Sequence, residues 1–223
     1  MAFSARIRKI LVTFLILGWT GTALYFLYHS GAASSWLKTS RLYRDNRVLM
    51  GTFWEVTSPD PRAAKIVFAE ASRIEKLLSK YLPDSEISSL NRQGKLKVSP
   101  ETFLLIKRSL DFYRLTDGAF DISVAPLSDI WGFTNQEFKV PGAENIQAAL
   151  KIVGSDKIIL HENKKLVEFL LPGMKIDLGG IAKGYALDRA VEMLKAQNIK
   201  NCLINAGGQV YGLGSKSGGN WKI

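Results

Sequence analysis

Nineteen consecutive positions, Ile10 to Tyr28, carry no charged side chain, and this run constrains the chain more than any other feature. As a helix it would span about 28 Å, close to the hydrocarbon thickness of a bilayer. A chain of 223 residues that commits its start to such a segment has room for one further domain and little else. Arg6, Arg8 and Lys9 precede the run, so the positive-inside rule keeps the N-terminus cytoplasmic and sends the remainder across. Lys38, Arg41, Arg44 and Arg47 follow it and weaken that asymmetry. Gly31-Ala32-Ala33-Ser34 offers small residues to a signal peptidase, but the apolar run exceeds the ~7–15 residues of a signal-peptide core, which favours a retained single-pass anchor. Both alternatives export the folded part.

The net charge of +10 reads at first like a nucleic-acid signal. Residues 1–49 hold seven Lys/Arg and one Asp, however, so the rest of the chain carries only +4. No zinc-finger or RNA-binding motif accompanies it, and nucleic acid is not an expected partner. A hydrophobic content of 47% with 22% charged residues describes a chain that folds. The single cysteine, Cys202, excludes an intramolecular disulfide and any cysteine-pair metal site. In Asn201-Cys202-Leu203-Ile204 it reads as a small buried hydrophobe of a strand. Neither His29 nor His161 is placed for a catalytic role.

The expected organisation is a basic segment at 1–9, an anchor at 10–28, a tether at 29–47 and one domain at 48–223. Leu49 to Thr57 reads as a strand ended by Ser58-Pro59-Asp60-Pro61. Asp60 then reads as the cap of a helix that carries Ile66, Val67, Ile74, Leu77 and Leu78 on one face as far as about Lys80. Ser99-Pro100-Glu101 opens a second helix, with Phe103, Ile106, Leu110 and Tyr113 on one side and a stop at Thr116-Asp117-Gly118. Short strands are expected at Phe120 to Val124, Lys157 to Leu160, Leu166 to Leu170, Met174 to Leu178, Cys202 to Asn205 and Gln209 to Leu213. A third helix is expected from Ile181 to Gln197. This mixture predicts an α+β domain of mixed sheets with flanking helices. Trp221-Lys222-Ile223 reads as the start of another strand, so the chain is expected to be a truncated reading frame.

The most informative segment is Asp177-Leu178-Gly179-Gly180-Ile181-Ala182-Lys183-Gly184, an acid and three glycines where a strand turns into a helix. Such a turn offers free backbone N–H groups to a phosphate, with the helix dipole and a lysine adding attraction; an ordinary glycine-rich turn is the alternative. It is neither a Walker A loop nor a G-x-G-x-x-G fingerprint, so the standard nucleotide folds are not supported. Asp117-Gly118-Ala119-Phe120-Asp121 puts small residues before a carboxylate, and Trp131 and Phe133 read either as walls for a planar ring or as core. Ser79-Lys80-Tyr81 and Asp84 to Asn91 form a cluster rich in side-chain donors and acceptors, which reads either as part of a site or as a polar loop that caps neighbouring helices. Asn205-Ala206-Gly207-Gly208 reads as a tight turn.

Taken in order, these segments resemble the ApbE family of FAD:protein FMN transferases. The resemblance runs from Met50-Gly51-Thr52 through the Ser-x-Tyr and Ser-x-x-Asn loop at Ser79 to Asn91, Asp117 to Asp121, Pro126-Leu127, Trp131-Gly132-Phe133 and Asp177 to Gly184 with Asp188, and ends at Asn205-Ala206-Gly207-Gly208. It implies an ApbE-like flavin transferase fold, incomplete here, that moves the FMN half of FAD onto a threonine hydroxyl of an acceptor flavoprotein and releases AMP, with Mg²⁺ at the pyrophosphate. Carried over, Met50, Tyr81, Asn91, Ala119, Phe120, Asp121, Asp177 and Lys183 would contact FAD, and Gly180 would give its backbone carbonyl to the metal. The remaining metal ligands and the base are expected in a C-terminal stretch that the chain lacks, so the chain alone is not expected to be a competent transferase. The anchor departs from the lipidated cysteine of many relatives. The setting implied is the bacterial inner membrane with the domain facing the periplasm and a membrane-associated redox subunit as acceptor. FAD pyrophosphate hydrolysis and a non-catalytic flavin carrier are the alternatives.

Overall fold

In the computed structural model, residues 41–216 and 219–222 are described. The expected anchor, the basic segment before it and most of the expected tether lie outside them. Among the described residues no helix is long and apolar enough to cross a membrane. The chain divides into two units, Met1–Arg41 with Lys216–Gly219, and Leu42–Ser215 with Asn220–Ile223. In the first, Lys216 and Gly219 form an isolated antiparallel bridge. The second is the folded domain.

Its elements in chain order begin with β1 (Tyr43–Leu49), β2 (Thr52–Ser58), α1 (Ala63–Leu78), α2 (Glu86–Gln93), β3 (Lys95–Lys97) and α3 (Pro100–Leu115). There follow α4 (Ala125–Ile130), α5 (Ala143–Lys151), β4 (Ile158–His161), β5 (Leu166–Phe169), α6 (Gly179–Ala196), β6 (Cys202–Ala206) and β7 (Gln209–Leu213). Two antiparallel sheets result, ordered β1-β2-β6-β7 and β3-β5-β4. This is the α+β class expected.

The larger sheet starts as a hairpin whose two turn residues, Met50 and Gly51, both have positive φ (53° and 70°), the geometry that matches the twist of the flanking strands. Residues 43–47, expected to belong to the tether, are strand instead. β1 is an edge strand whose residues, the last excepted, are exposed, so its Arg44-Asp45-Asn46-Arg47 composition is that of a linker while its backbone pairs with β2 along its length. Charged side chains on an edge also discourage pairing with a second molecule.

One face of this sheet is core. Trp54 and Val56 of β2 and Cys202, Ile204 and Ala206 of β6 are buried there. α1 and α6 cover it, packed along each other. α1 contributes Val67, Phe68, Ala71, Ile74 and Leu78. α6 contributes Ala182, Ala186 and Ala190 at four-residue intervals, and Leu194. Residues four apart share one helix face, so the alanines make a narrow stripe that lets the helices approach closely. α3 adds Phe103, Leu105, Ile106 and Leu110.

A polar network ties α1, α3 and α6 where their faces leave the core. Arg73 forms paired hydrogen bonds with both Glu70 and Glu101, and Glu101 also accepts from the Tyr185 hydroxyl at 2.7 Å. Arg73 holds the Glu101 carboxyl below its ordinary value of 4.5, against the opposing effect of burial, with Tyr185 assisting. Burial and the same carboxylate push the Tyr185 hydroxyl up to about 12. A carboxyl depressed on folding contributes stability that is present above its unfolded value and lost as pH falls through the folded one. Stability should therefore decline as pH falls below 4.5. Glu101→Gln should lower stability at pH 7 by about 1.5–3 kcal/mol, the scale of a charge-assisted hydrogen bond, and flatten that acid limb. Urea unfolding from pH 7 to 3 measures both.

Several segments depart from expectation for local reasons. Asp60 does not cap α1: its carboxylate accepts from Arg62 N at 2.9 Å and closes the preceding turn, and Arg62 stands at the helix start without a side-chain cap. Phe120 to Val124 is not a strand, because Asp121 accepts from Ser123 N at 2.7 Å and coils the chain into a 3₁₀ turn that leads into α4. The polar loop from Asp84 to Asn91 is largely α2, whose N-cap is its own Ser85. Met174 to Leu178 is not a strand and joins no ladder. The Asn91 amide takes a strand's place there, donating to Ile176 O at 2.9 Å and accepting from Ile176 N at 2.8 Å. Trp221 pairs with no strand; its indole N–H donates to Leu213 O at 3.0 Å while the ring lies against Gly212. α6 begins two residues before the expected start.

Candidate active site

The Asn91 clasp delivers Asp177 to the foot of α6. Ile176 is held on both sides of its peptide unit, and Asp177 N donates to Ile122 O at 2.7 Å, so the next side chain has little freedom. Asp177 Oδ1 accepts from Gly179 N at 2.8 Å. Asp177 Oδ2 pairs with Lys80 Nζ at 3.0 Å. Lys183, one turn further along, donates to Gly179 O at 2.9 Å.

The free N–H groups expected of this turn are mostly engaged. Asp177 takes that of Gly179, and Leu178 O takes those of Ile181 and Ala182. The helix start has a carboxylate of its own against its positive end. An incoming phosphate therefore meets side-chain cations here more than backbone donors.

A cavity of about 490 Å³ opens above this turn, lined among others by Met50, Glu75, Lys80, Tyr81, Asp177 and Lys183. That is the size range of small-molecule sites. One wall is the segment after α1. Ser85 Oγ and Ser88 Oγ donate to Ser79 O and Lys80 O, which fixes the backbone and leaves Tyr81 59% exposed beside the opening. The β1–β2 turn joins this wall through Met50 N, which donates to Glu75 Oε1 at 2.8 Å. Phe133, Thr134 and Gln136 form the other wall. Their loop folds back over Gly132, whose φ is +79° and where a Cβ would lie 1.9 Å from Glu137 O, so only glycine fits. Asp129 anchors the loop, accepting from Thr134 and pairing with Lys175 at 2.7 Å. Burial would raise the Asp129 carboxyl, but these two partners more than offset it and hold it low.

A second cavity of about 640 Å³ lies between α3 and α6, lined by Arg108, Phe112, Phe120, Gly180, Tyr185 and Asp188 among others. Phe120 covers Gly180 so closely that a Cβ there would be 3.1 Å from the ring edge, and it meets Phe112 edge-on at 6.0 Å.

The residues singled out in the sequence thus separate into three groups. Met50, Tyr81, Asp177 and Lys183 meet in the first cavity, and Phe120 and Gly180 line the second. Asn91, Ala119 and Asp121 line neither. Asn91 uses both ends of its amide on Ile176. The Asp121 carboxylate is surrounded by Ser123 and Ser155, whose hydroxyls donate at 2.6 and 2.5 Å. Phe133 lines the first cavity, but Trp131 does not. Lys80, Glu75 and Thr134 line it without having been marked as site residues. Lys80 stood in view inside Ser79-Lys80-Tyr81 as the spacer of a Ser-x-Tyr pattern, and an unusually buried charge is visible only in three dimensions. Burial pushes the Cys202 thiol up to about 12, which makes it inert at neutral pH. His161 pairs with Glu168 at 3.1 Å, away from both cavities. Among the described residues no three or more His, Cys, Asp or Glu side chains gather as a metal site.

Residues 50–223 match the model of the ApbE family. An FAD:protein FMN transferase of Klebsiella pneumoniae is 33% identical over 183 residues, covering 80% of this chain and 58% of the relative. Among solved structures, an ApbE protein from Thermotoga maritima is 34% identical with a TM-score of 0.74, covering 80% of this chain and 60% of that one. The flavin transferase ApbE from Vibrio cholerae is 26% identical with a TM-score of 0.75, covering 82% and 63%. The chain therefore spans roughly three-fifths of the length of these relatives.

Proposed function

The chain belongs to the ApbE family, and from that premise we propose that its first cavity takes FAD and that the protein transfers the FMN moiety to a threonine hydroxyl of an acceptor flavoprotein. The observation that carries this reading is the meeting of Met50, Tyr81, Asp177 and Lys183, four positions scattered over the sequence, in one cleft of suitable size. In the transfer, the threonine oxygen bonds to the FMN-side phosphorus as the bond from that phosphorus to the bridging oxygen breaks. AMP leaves with the bridging oxygen, and the hydroxyl proton passes to solvent. Lys80 and Lys183 set positive charge beside the phosphates, where negative charge accumulates. Met50, Tyr81 and Phe133 give the flexible ligand apolar surface to lie on.

A magnesium ion at the pyrophosphate belongs to the same reading and would supply Lewis-acid neutralisation of phosphate charge. The backbone carbonyl that the family resemblance assigns to it is that of Gly180, which here lines the second cavity and not the first. Asp177, the nearest acid in sequence, is already engaged by Lys80 and Gly179, so the described residues do not by themselves compose the oxygen shell that Mg²⁺ requires. This chain's own part in the reaction rests on its cations and on the walls of the cleft.

The uncharged run from Ile10 to Tyr28, with basic residues before it, supports placing the domain on the outer face of the bacterial inner membrane. A tether there raises the local concentration of the site near a membrane-associated redox acceptor. The deciding experiment takes a form of the protein extended to the full length of its relatives, of which this chain spans about three-fifths, incubates it with FAD, Mg²⁺ and a candidate acceptor, and reads acceptor mass and AMP together. An acceptor heavier by one FMN with matching AMP is the expected result. AMP without labelled acceptor would mean hydrolysis, and FAD bound and returned unaltered would mean a carrier.

A further inference from the structure

We propose that Lys80 is the specificity-determining charge of this cleft, the residue that lets a wall containing Asp177 and Glu75 accept an anionic, phosphate-bearing flavin. The inference rests on the FAD reading above and deepens it. The side chain of Lys80 is only 4% exposed, which is rare for lysine. Its ammonium meets Asp177 Oδ2 at 3.0 Å, donates to Thr134 Oγ1 at 3.3 Å and lies 5.1 Å from the centre of the Tyr81 ring. All three of these neighbours line the cleft.

Stability does not explain this arrangement, because an apolar pair of similar volume generally serves a fold as well as a buried ion pair. Its position does. Among the described residues four charged side chains line the cavity, Glu75, Lys80, Asp177 and Lys183, so that much of the lining is balanced. Without Lys80 it would hold two acids against one base, and a diphosphate would enter against net repulsion. Lys80 also joins the wall of Tyr81 to the loop of Thr134 through one atom, so the charge and the width of the cleft depend on the same residue.

The test is titration calorimetry of wild type, Lys80→Gln and Lys80→Arg with FAD and with riboflavin, which lacks phosphate. Glutamine can still donate to Asp177 and Thr134 but removes the charge. Lys80→Gln should bind FAD about tenfold or more weakly and riboflavin within about twofold of wild type. Lys80→Arg should stay within about threefold of wild type for FAD. Equal losses for FAD and riboflavin in Lys80→Gln would show a merely structural role and overturn the inference, as would unchanged FAD binding. If Lys80→Gln melts below the assay temperature, the salt dependence of wild-type FAD affinity carries the test: a fall with rising salt is expected, and a flat response overturns it. Wild type that binds riboflavin but not FAD overturns this inference and the transferase reading together. Wild type that binds FAD as tightly as Lys80→Gln does overturns this inference alone.

Discussion

Phe68→Ala should lower the unfolding free energy by about 3–5 kcal/mol, the usual loss for a large aromatic removed from a packed core. Phe68 is 1% exposed, on the face of α1 that meets the large sheet. Its ring also lies 5.1 Å beneath the guanidinium of Arg47 on the edge strand β1. The substitution therefore opens a void and removes a cation–π contact together, and the second effect adds to the first. A domain of this size is stable by about 5–15 kcal/mol, so the variant should unfold at distinctly lower denaturant. Equilibrium urea unfolding at pH 7 measures it; a midpoint unchanged from wild type would show that α1 does not carry the sheet.

Asp177→Ala should cost about 1–3 kcal/mol, the loss expected when a buried donor is left without its acceptor. The pair is unequal, with side-chain exposures of 4% for Lys80 and 24% for Asp177. Deleting the acid leaves the more deeply buried charge unpaired and frees Gly179 N as well. Deleting the base leaves a carboxylate nearer water that keeps its backbone donor. Asp177→Ala should thus be clearly less stable than Lys80→Gln when both are unfolded in urea. The reverse order would mean that the lysine reaches solvent by another route.

The sequence reveals the helices that carry their own boundary chemistry. Ser99-Pro100-Glu101 opens α3 as expected, Ser99 accepting from Thr102 N. Thr116-Asp117-Gly118 ends it with two positive φ values. The strands β4, β5, β6 and β7 lie within a residue or so of the expected ranges, since β-branched and apolar runs between turn residues leave few other options. What stayed hidden depended on partners distant in sequence. β1 looks like a linker because this edge strand is exposed along nearly its whole length. Met174 to Leu178 looks like a strand because its residues are apolar, yet its partner is a side chain 85 positions away. The site was legible in the same measure. Its glycine-rich turn and lysine stand in one stretch of sequence, whereas the burial of Lys80 arises from three separate segments.

The order of strands in the large sheet also limits how this domain can assemble. β2 is made early but pairs with β6, and the contact that closes their far end, Ser58 Oγ to Asn201 O at 2.7 Å, joins residues 143 positions apart. Until β6 has left the ribosome, the hairpin of β1 and β2 has no neighbour on one edge, and Trp54 and Val56 lack their cross-strand partners Ala206 and Ile204. Pairings of such long range form slowly, typically in milliseconds to seconds. The large sheet is therefore completed only once the chain through β6 is available. Refolding from urea should be slow for a domain so rich in helix, with the Trp54 environment among the last to become native.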